Sequence, residues 1–160
     1  MTKKEITTAA LVGGYPVGFR KALALVLDWE CVYAADGTIR WENDPDDPGG
    51  ATFAGLLLRD GKIGEDPTPH VIAETYFRDY WCKLDGLPSL VQQVTFFMGV
   101  NQGIGTAIRQ LQFACNDYGA RLTVDGRLGD KTRAAAHAVP DTTGLAMAYL
   151  GKVRRRYDDL

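Results

Sequence analysis

A mainly α-helical fold with one small β excursion is predicted from three observations. Apolar residues recur at helical spacing in several separate stretches, whereas strand and hairpin signals are confined to the segment between Cys31 and Leu58. The chain has 160 residues, 46% of them hydrophobic and 24% charged, enough for one compact domain with a real core. No repeat or low-complexity tract interrupts this pattern.

Residues 1–17, with Gly13, Gly14 and Pro16, read as a loose arm leading into the first helix. From Phe19 to about Glu30, the residues Phe19, Leu23, Val26 and Leu27 form one helical face. Glu30 follows at the edge of that stripe, where partial desolvation favours the protonated form of a carboxyl. Ala35-Asp-Gly37 is a hairpin turn signal between two short apolar segments. Asp44 to Gly50 holds two prolines and a glycine pair, so it is a structured loop rather than helix or central strand.

The segment Ala51 to Leu58 is again apolar. Pro69 stands near the start of a helix running through Tyr76, Tyr80 and Trp81, and Gly86 and Pro88 end it. Leu90 to Gly99 is a strongly apolar helix suited to the domain centre. Asn101-Gln-Gly-Ile-Gly105 reads as a tight corner before an amphipathic helix, Thr106 to Tyr118, with Ile108, Leu111 and Cys115 inward. Val124-Asp-Gly126 is a turn. Asp130 is placed to cap a short helix from Lys131 to Ala138, and Asp141 to cap a last one ending at Lys152-Val-Arg-Arg-Arg-Tyr157.

Charge and cysteine usage remove several function classes. The net charge of -2 argues against a nucleic-acid binder, which needs a basic face. The first 80 residues carry 8 Lys/Arg against 13 Asp/Glu, and the last 80 carry 10 against 7. That asymmetry suits a cleft with its carboxylates on one wall, and equally an ordinary solvated surface. Cys31, Cys82 and Cys115 are widely spaced, and His70 and His137 fall in no metal-binding motif. Reduced thiols, no metal and no cofactor are expected, which disfavours a zinc amidase or peptidase. No apolar run is long enough to span a bilayer and no clean secretory signal follows the N-terminus, so stable membrane insertion is not expected.

One constellation carries chemistry. Glu30 sits on an apolar scaffold and is followed by Asn43-Asp-Pro-Asp-Asp-Pro-Gly-Gly-Ala-Thr52, an acidic, glycine-rich loop ending in threonine. One carboxyl kept protonated and another kept ionised, or holding a water, is the asymmetry that glycosidic hydrolysis requires. The aspartates of the loop also fit plain turn chemistry, in which Asp before Pro and Gly braces its own backbone.

Four motifs occur here in a fixed order: Glu30-x-x-Tyr33, then Asp44-Pro-x-Asp47-Pro-Gly-Gly-x-Thr52-x-x-Gly55, then the Tyr76-x-x-x-Tyr80-Trp81 segment, then Asp125-Gly-x-x-Gly-x-x-Thr132. In this the chain resembles the glycoside hydrolase family 108 muramidases, phage endolysins and related bacterial proteins with a lysozyme-like N-terminal part and a C-terminal half expected to bind peptidoglycan. The resemblance runs from about Phe19 to Tyr157. It implies a lysozyme-like single domain over 1–160, with a small β-hairpin or loop lobe near the active site. About 19–85 would form the catalytic part and about 86–157 the helical C-terminal part.

The resemblance implies an N-acetylmuramidase that cleaves the β-1,4 bond between N-acetylmuramic acid and N-acetylglucosamine, with Glu30 as general acid. Asp47 and Thr52 are similar to the aspartate and threonine that follow the catalytic glutamate in phage-type lysozymes, with Asp44 and Asp46 competing for the aspartate's role. Tyr33 and Tyr80 are candidates to stack on sugars, although aromatics at helical spacing also suit a core. Asn101 and Gln102 are candidates for N-acetyl groups, with helix capping as the alternative. The usual Glu-Gly-Gly-Tyr signature reads Glu30-Cys31-Val32-Tyr33 here. That departure favours the rival reading, a peptidoglycan-binding or secretion-assisting protein that has lost catalysis. The expected partner is the peptidoglycan glycan strand. The expected form is a monomer made in the bacterial cytoplasm and released to the wall through a holin.

Overall fold

The computed structural model describes residues 1–43 and 50–158, with side chains as far as residue 151. The fold is mainly helical with one small three-stranded antiparallel sheet, the class expected from the sequence. The chain forms two compact units, Met1–Asp79 and Tyr80–Leu160.

The first unit begins with a helix where a loose arm was expected. Helix α1, Lys3–Val12, is opened by a capping box. Thr2 Oγ1 accepts from Glu5 N at 3.2 Å, and Glu5 Oε2 accepts from Thr2 N at 2.6 Å. Ile6 and Ala10, spaced i,i+4, are fully buried, because α1 packs on the helices that follow. The glycines that suggested an arm instead terminate α1: Gly13 N donates to Ala9 O, and Gly14 has φ +69°.

Helix α2, Val17–Glu30, buries Phe19, Ala22, Leu23, Val26 and Leu27, the stripe read from periodicity. The Ala35-Asp-Gly37 signal forms a turn with Gly37 at φ +80°. It is flanked by bridges between Tyr33 and Ile39 and between Thr2 and Thr38. Strands β1 (Trp41–Glu42), β2 (Thr52–Phe53) and β3 (Leu56–Leu57) pair in order, with Trp41 opposite Phe53, and Thr52 opposite both Glu42 and Leu57. The Trp41 and Phe53 rings lie 5.1 Å apart. A 3₁₀ turn, Leu58–Asp60, leads to helix α3, Pro69–Tyr76, which starts with Pro at its first position and Thr68 as N-cap. Tyr15, Phe19 and Phe77 cluster with ring centroids 4.7 to 5.4 Å apart, joining the ends of α2 and α3.

The helix expected through Trp81 stays α-helical only to Tyr76. A π-turn, Phe77–Trp81, and a 3₁₀ turn, Cys82–Leu84, carry the chain onward. In the second unit, α4 (Ser89–Gln102) and α5 (Ile104–Asp117) join at Gly103, whose φ of +85° makes the corner read from the sequence. They pack closely: a Cβ on Gly99 would come within 2.5 Å of Ile104 Cδ1. Ile108, Leu111 and Cys115 face inward as expected. Helix α6 runs Asp130–Ala138, so Gly129 is the N-cap and Asp130 is a first-turn acid beside Arg133 rather than the cap. Helix α7, Thr142–Asp158, does receive its expected cap, with Gly144 N donating to Asp141 Oδ1 at 2.8 Å. Tyr149 anchors α7 on α5 through a buried bond from its hydroxyl to Ala107 O, 2.9 Å long. The side chains of Arg154 to Arg156 lie outside the described residues.

Candidate active site

Glu30 is the last residue of α2 and is half-buried. The final turn of α2 carries two acids, Asp28 and Glu30, and no base of its own, an arrangement the helix dipole disfavours. Lys3 of α1 offsets part of this by pairing with Asp28 at 2.5 Å. The chain leaves the helix at Cys31 in extended conformation (φ −104°, ψ 135°). Tyr33 then turns back, its hydroxyl donating to Leu27 O at 2.8 Å. That carbonyl is one of the last four of the helix and has no partner within it. Tyr33 therefore braces the end of the helix that presents Glu30.

Burial pushes the Cys31 thiol up to about 11, with the neighbouring Glu42, Glu30 and Asp28 carboxyls adding to the shift and the adjacent Tyr33 side chain opposing it. Burial likewise raises the Tyr33 phenol, aided by Cys31. Both groups stay neutral at physiological pH. The residue in place of the signature's first glycine thus adds no charge beside Glu30.

The β2–β3 hairpin meets Glu30 at its tip. Phe53 and Leu56 are paired, leaving Ala54 and Gly55 as a two-residue turn with φ +50° and +74°. Positive φ at both positions is what a type I′ turn demands. Ala54 is the one non-glycine residue with positive φ among the described residues. The buried hydroxyl of Tyr76 holds it there, donating to Ala54 O at 2.6 Å. A Cβ on Gly55 would lie 2.9 Å from Glu30 Cβ and 2.8 Å from Tyr76 Oη. The hairpin tip therefore rests on the root of the Glu30 side chain, and only glycine fits at the contact. Gly55 belongs to the motif read from the sequence, but its contact with Glu30 does not show there; nor does Tyr76's role.

Thr52, half-buried, begins the same hairpin three residues before Gly55. Asp44, Asp46 and Asp47 lie outside the described residues. Tyr80, Asn101 and Gln102 belong to the second unit. Tyr80 is half-buried in the π-turn, while its neighbour Trp81 is buried and stacks edge-on against Phe96, ring centroids 5.6 Å apart. Asn101 is exposed near the end of α4, and Gln102 Oε1 accepts from Gln110 Nε2 at 3.2 Å. Tyr76 and Trp81 are core residues, whereas Trp29, which the sequence reading did not single out, is exposed.

The Asp125 to Thr132 motif forms a brace around one buried glutamine. The two N–H hydrogens of Gln112 Nε2 are shared among Asp125 Oδ1, Arg127 O and Thr132 Oγ1 at 2.9, 3.1 and 3.2 Å, and Gln112 Oε1 accepts from Gly126 N at 3.0 Å. Among the described residues, no three His, Cys, Asp or Glu side chains gather as metal ligands, and no helix is long and apolar enough to cross a membrane.

No curated protein matches the chain. Among solved structures, it is similar to Brucella abortus SagA, with 26% identity and a TM-score of 0.60, over 85% of this chain and 79% of that one. The sequence profile described as Glycosyl hydrolase 108 matches residues 23–103, from the middle of α2 past the end of α4. That match spans Glu30, Thr52, Gly55, Tyr80, Asn101 and Gln102 and takes in half of the chain, which belongs to glycosyl hydrolase family 108.

Proposed function

We propose that the chain is a muramidase hydrolysing the β-1,4 bond between N-acetylmuramic acid and N-acetylglucosamine in peptidoglycan, with Glu30 as general acid. The observation that carries this reading is the seating of Glu30: in a member of a glycosyl hydrolase family, it ends α2 with the Gly55 hairpin tip packed on its side-chain root. In the proposed step Glu30 gives its proton to the glycosidic oxygen as the bond from that oxygen to the anomeric carbon breaks. Positive charge develops on the ring that keeps the anomeric carbon; water supplies the hydroxyl that ends at that carbon, and its other proton passes to a carboxylate of the site, so that Glu30 is again protonated at the end of the cycle. General acid catalysis of this kind is worth about 10²–10⁴-fold.

The loop supplies the second function. Asp47, with Asp44 and Asp46 as alternatives, stabilises the ring's charge or orients the water, and Thr52 hydrogen-bonds that water or the sugar. Tyr33 is better supported as a brace of the α2 terminus than as a stacking ring, because its hydroxyl is committed to Leu27 O. Peptidoglycan binding by the C-terminal half, and delivery to the wall as an endolysin through a holin, belong to the same proposal.

Glu30→Gln tests it. The variant keeps the shape and loses the proton, so release of reducing ends from purified peptidoglycan should fall at least a hundredfold, with an unchanged circular dichroism spectrum. Mass spectrometry of the wild-type digest should show muramic acid at the new reducing ends. Near-normal activity of Glu30→Gln would overturn the assignment. The rival reading, suggested by Cys31-Val32, predicts cosedimentation of the wild type with peptidoglycan and no release of reducing ends at all.

A further inference from the structure

We propose that Trp29 is a sugar-stacking platform that holds a saccharide unit of the glycan strand beside the one cleaved at Glu30, an inference that rests on the glycan substrate proposed above. Helix α2 buries Phe19, Leu23, Val26 and Leu27 completely, yet Trp29 on the same helix is 76% exposed. A tryptophan in this state presents most of its large apolar surface to water. Its position is specific: it precedes Glu30 directly, so the two Cα atoms stand one peptide unit, about 3.8 Å, apart. Around the helix the two side chains diverge by about 100°. Glu30 turns towards the Gly55 tip, and the indole turns outward from the same helix terminus. A chain of sugars lying across that terminus would meet both.

The occupant follows from the size of the apolar surface. Leu25, one turn earlier at i−4, is 55% exposed and shares the face. An indole buries about 150–250 Å² when covered. Even with Leu25 this falls well short of the roughly 800 Å² per partner that a stable protein interface buries. A pyranose ring matches better, since it sets a flat C–H face on the indole while its hydroxyl rim stays in water. Of the two acids of this turn, Asp28 is paired with Lys3 and Glu30 is the proposed general acid of the same glycan site.

The test uses soluble, peptide-free glycan strands of alternating N-acetylglucosamine and N-acetylmuramic acid with the full chain. Trp29→Ala should raise KM about tenfold, the equivalent of a stacking interaction of about 1.4 kcal/mol. The loss should fall in KM rather than kcat, and Trp29→Phe should recover most of it. On a Glu30→Gln background, adding strands should shift tryptophan emission to shorter wavelength, and Trp29→Phe should abolish that shift. Wild-type KM and affinity in Trp29→Ala, with hydrolysis still dependent on Glu30, would overturn this inference alone. Hydrolysis that survives Glu30→Gln would instead overturn the functional reading. An oligomer that dissociates on Trp29→Ala would assign the indole to a second copy of the chain and also overturn the inference.

Discussion

Gly55→Ala should impair both folding and catalysis, and a control within the same unit separates two causes. An L-residue in the left-handed region costs about 1–2 kcal/mol. Gly55, at φ +74°, would bear that cost, and so would Gly61, at φ +68°. They differ in surroundings: a Cβ on Gly61 meets nothing within 4 Å, whereas on Gly55 it reaches 2.9 Å from Glu30 Cβ and 2.8 Å from Tyr76 Oη. Neither neighbour is the loose end of a flexible chain. One is the root of the Glu30 side chain, and the other is a buried hydroxyl bonded to Ala54 O at 2.6 Å. Moving that hydroxyl away strands a buried carbonyl, at about 1–3 kcal/mol. Gly61→Ala is therefore expected to destabilise by about 1–2 kcal/mol, and Gly55→Ala by about 2–5 kcal/mol once the stranded carbonyl is added.

Catalysis should separate the two variants more widely still. A misplacement of about 1 Å at a reacting group costs on the order of 10²-fold. Gly55→Ala should lower kcat/KM on peptidoglycan by about that factor at a temperature where the variant remains folded, and Gly61→Ala should leave it close to wild type. Urea unfolding and reducing-end release measure the two effects. Equal stability and equal kcat/KM for the two variants would refute the claim that the hairpin tip positions Glu30.

Three further outcomes are expected. Gln112→Ala should lower the urea midpoint by the equivalent of about 2–4 kcal/mol, because one buried amide, through its two N–H donors and its carbonyl, ties together four groups of the 125–132 turn on α5; a midpoint shift under 1 kcal/mol would show that the brace is dispensable. Asp79 is held at about 2, below its ordinary 3.8, first by its bond to Arg78 and then by Lys62. A carboxyl depressed in the folded state stabilises above the ordinary value and loses that contribution as pH falls towards the folded one. The difference in Tm between the wild type and Asp79→Asn should therefore shrink from about pH 4 to pH 2. Finally, iodoacetamide at pH 8 should label Cys82 first, since it is exposed, whereas burial pushes Cys31 and Cys115 up to about 11; mass spectrometry of the labelled peptides gives the order.

What could be read from the sequence was what neighbouring residues decide among themselves. The i,i+3 and i,i+4 stripe of α2, the corner at Gly103, the Asp141 cap and the inward face of α5 all follow from periodicity and turn chemistry within one segment. The ordered set of motifs carried a resemblance to the family whose profile matches residues 23–103. Helix α1 was legible in principle, since Thr2-x-x-Glu5 is a capping box, but the nearby glycines and proline suggested an arm. The burial of Ile6 and Ala10 against α2 and α3 makes it a helix.

Tertiary structure decided the seating of Glu30. Tyr76 and Ala54 are 22 positions apart, and Gly55 and Glu30 are 25 apart, so no local pattern reveals that one hydroxyl and one missing Cβ hold the hairpin against the end of α2. The same holds for the aromatics. Spacing leaves Tyr76 and Trp81 open to core or site and does not single out Trp29, and only the packing of chain-distant elements buries the first two and leaves Trp29 exposed beside Glu30. Composition and periodicity specify which residues seek a core; which side chains remain at the surface depends on what the rest of the chain brings against them.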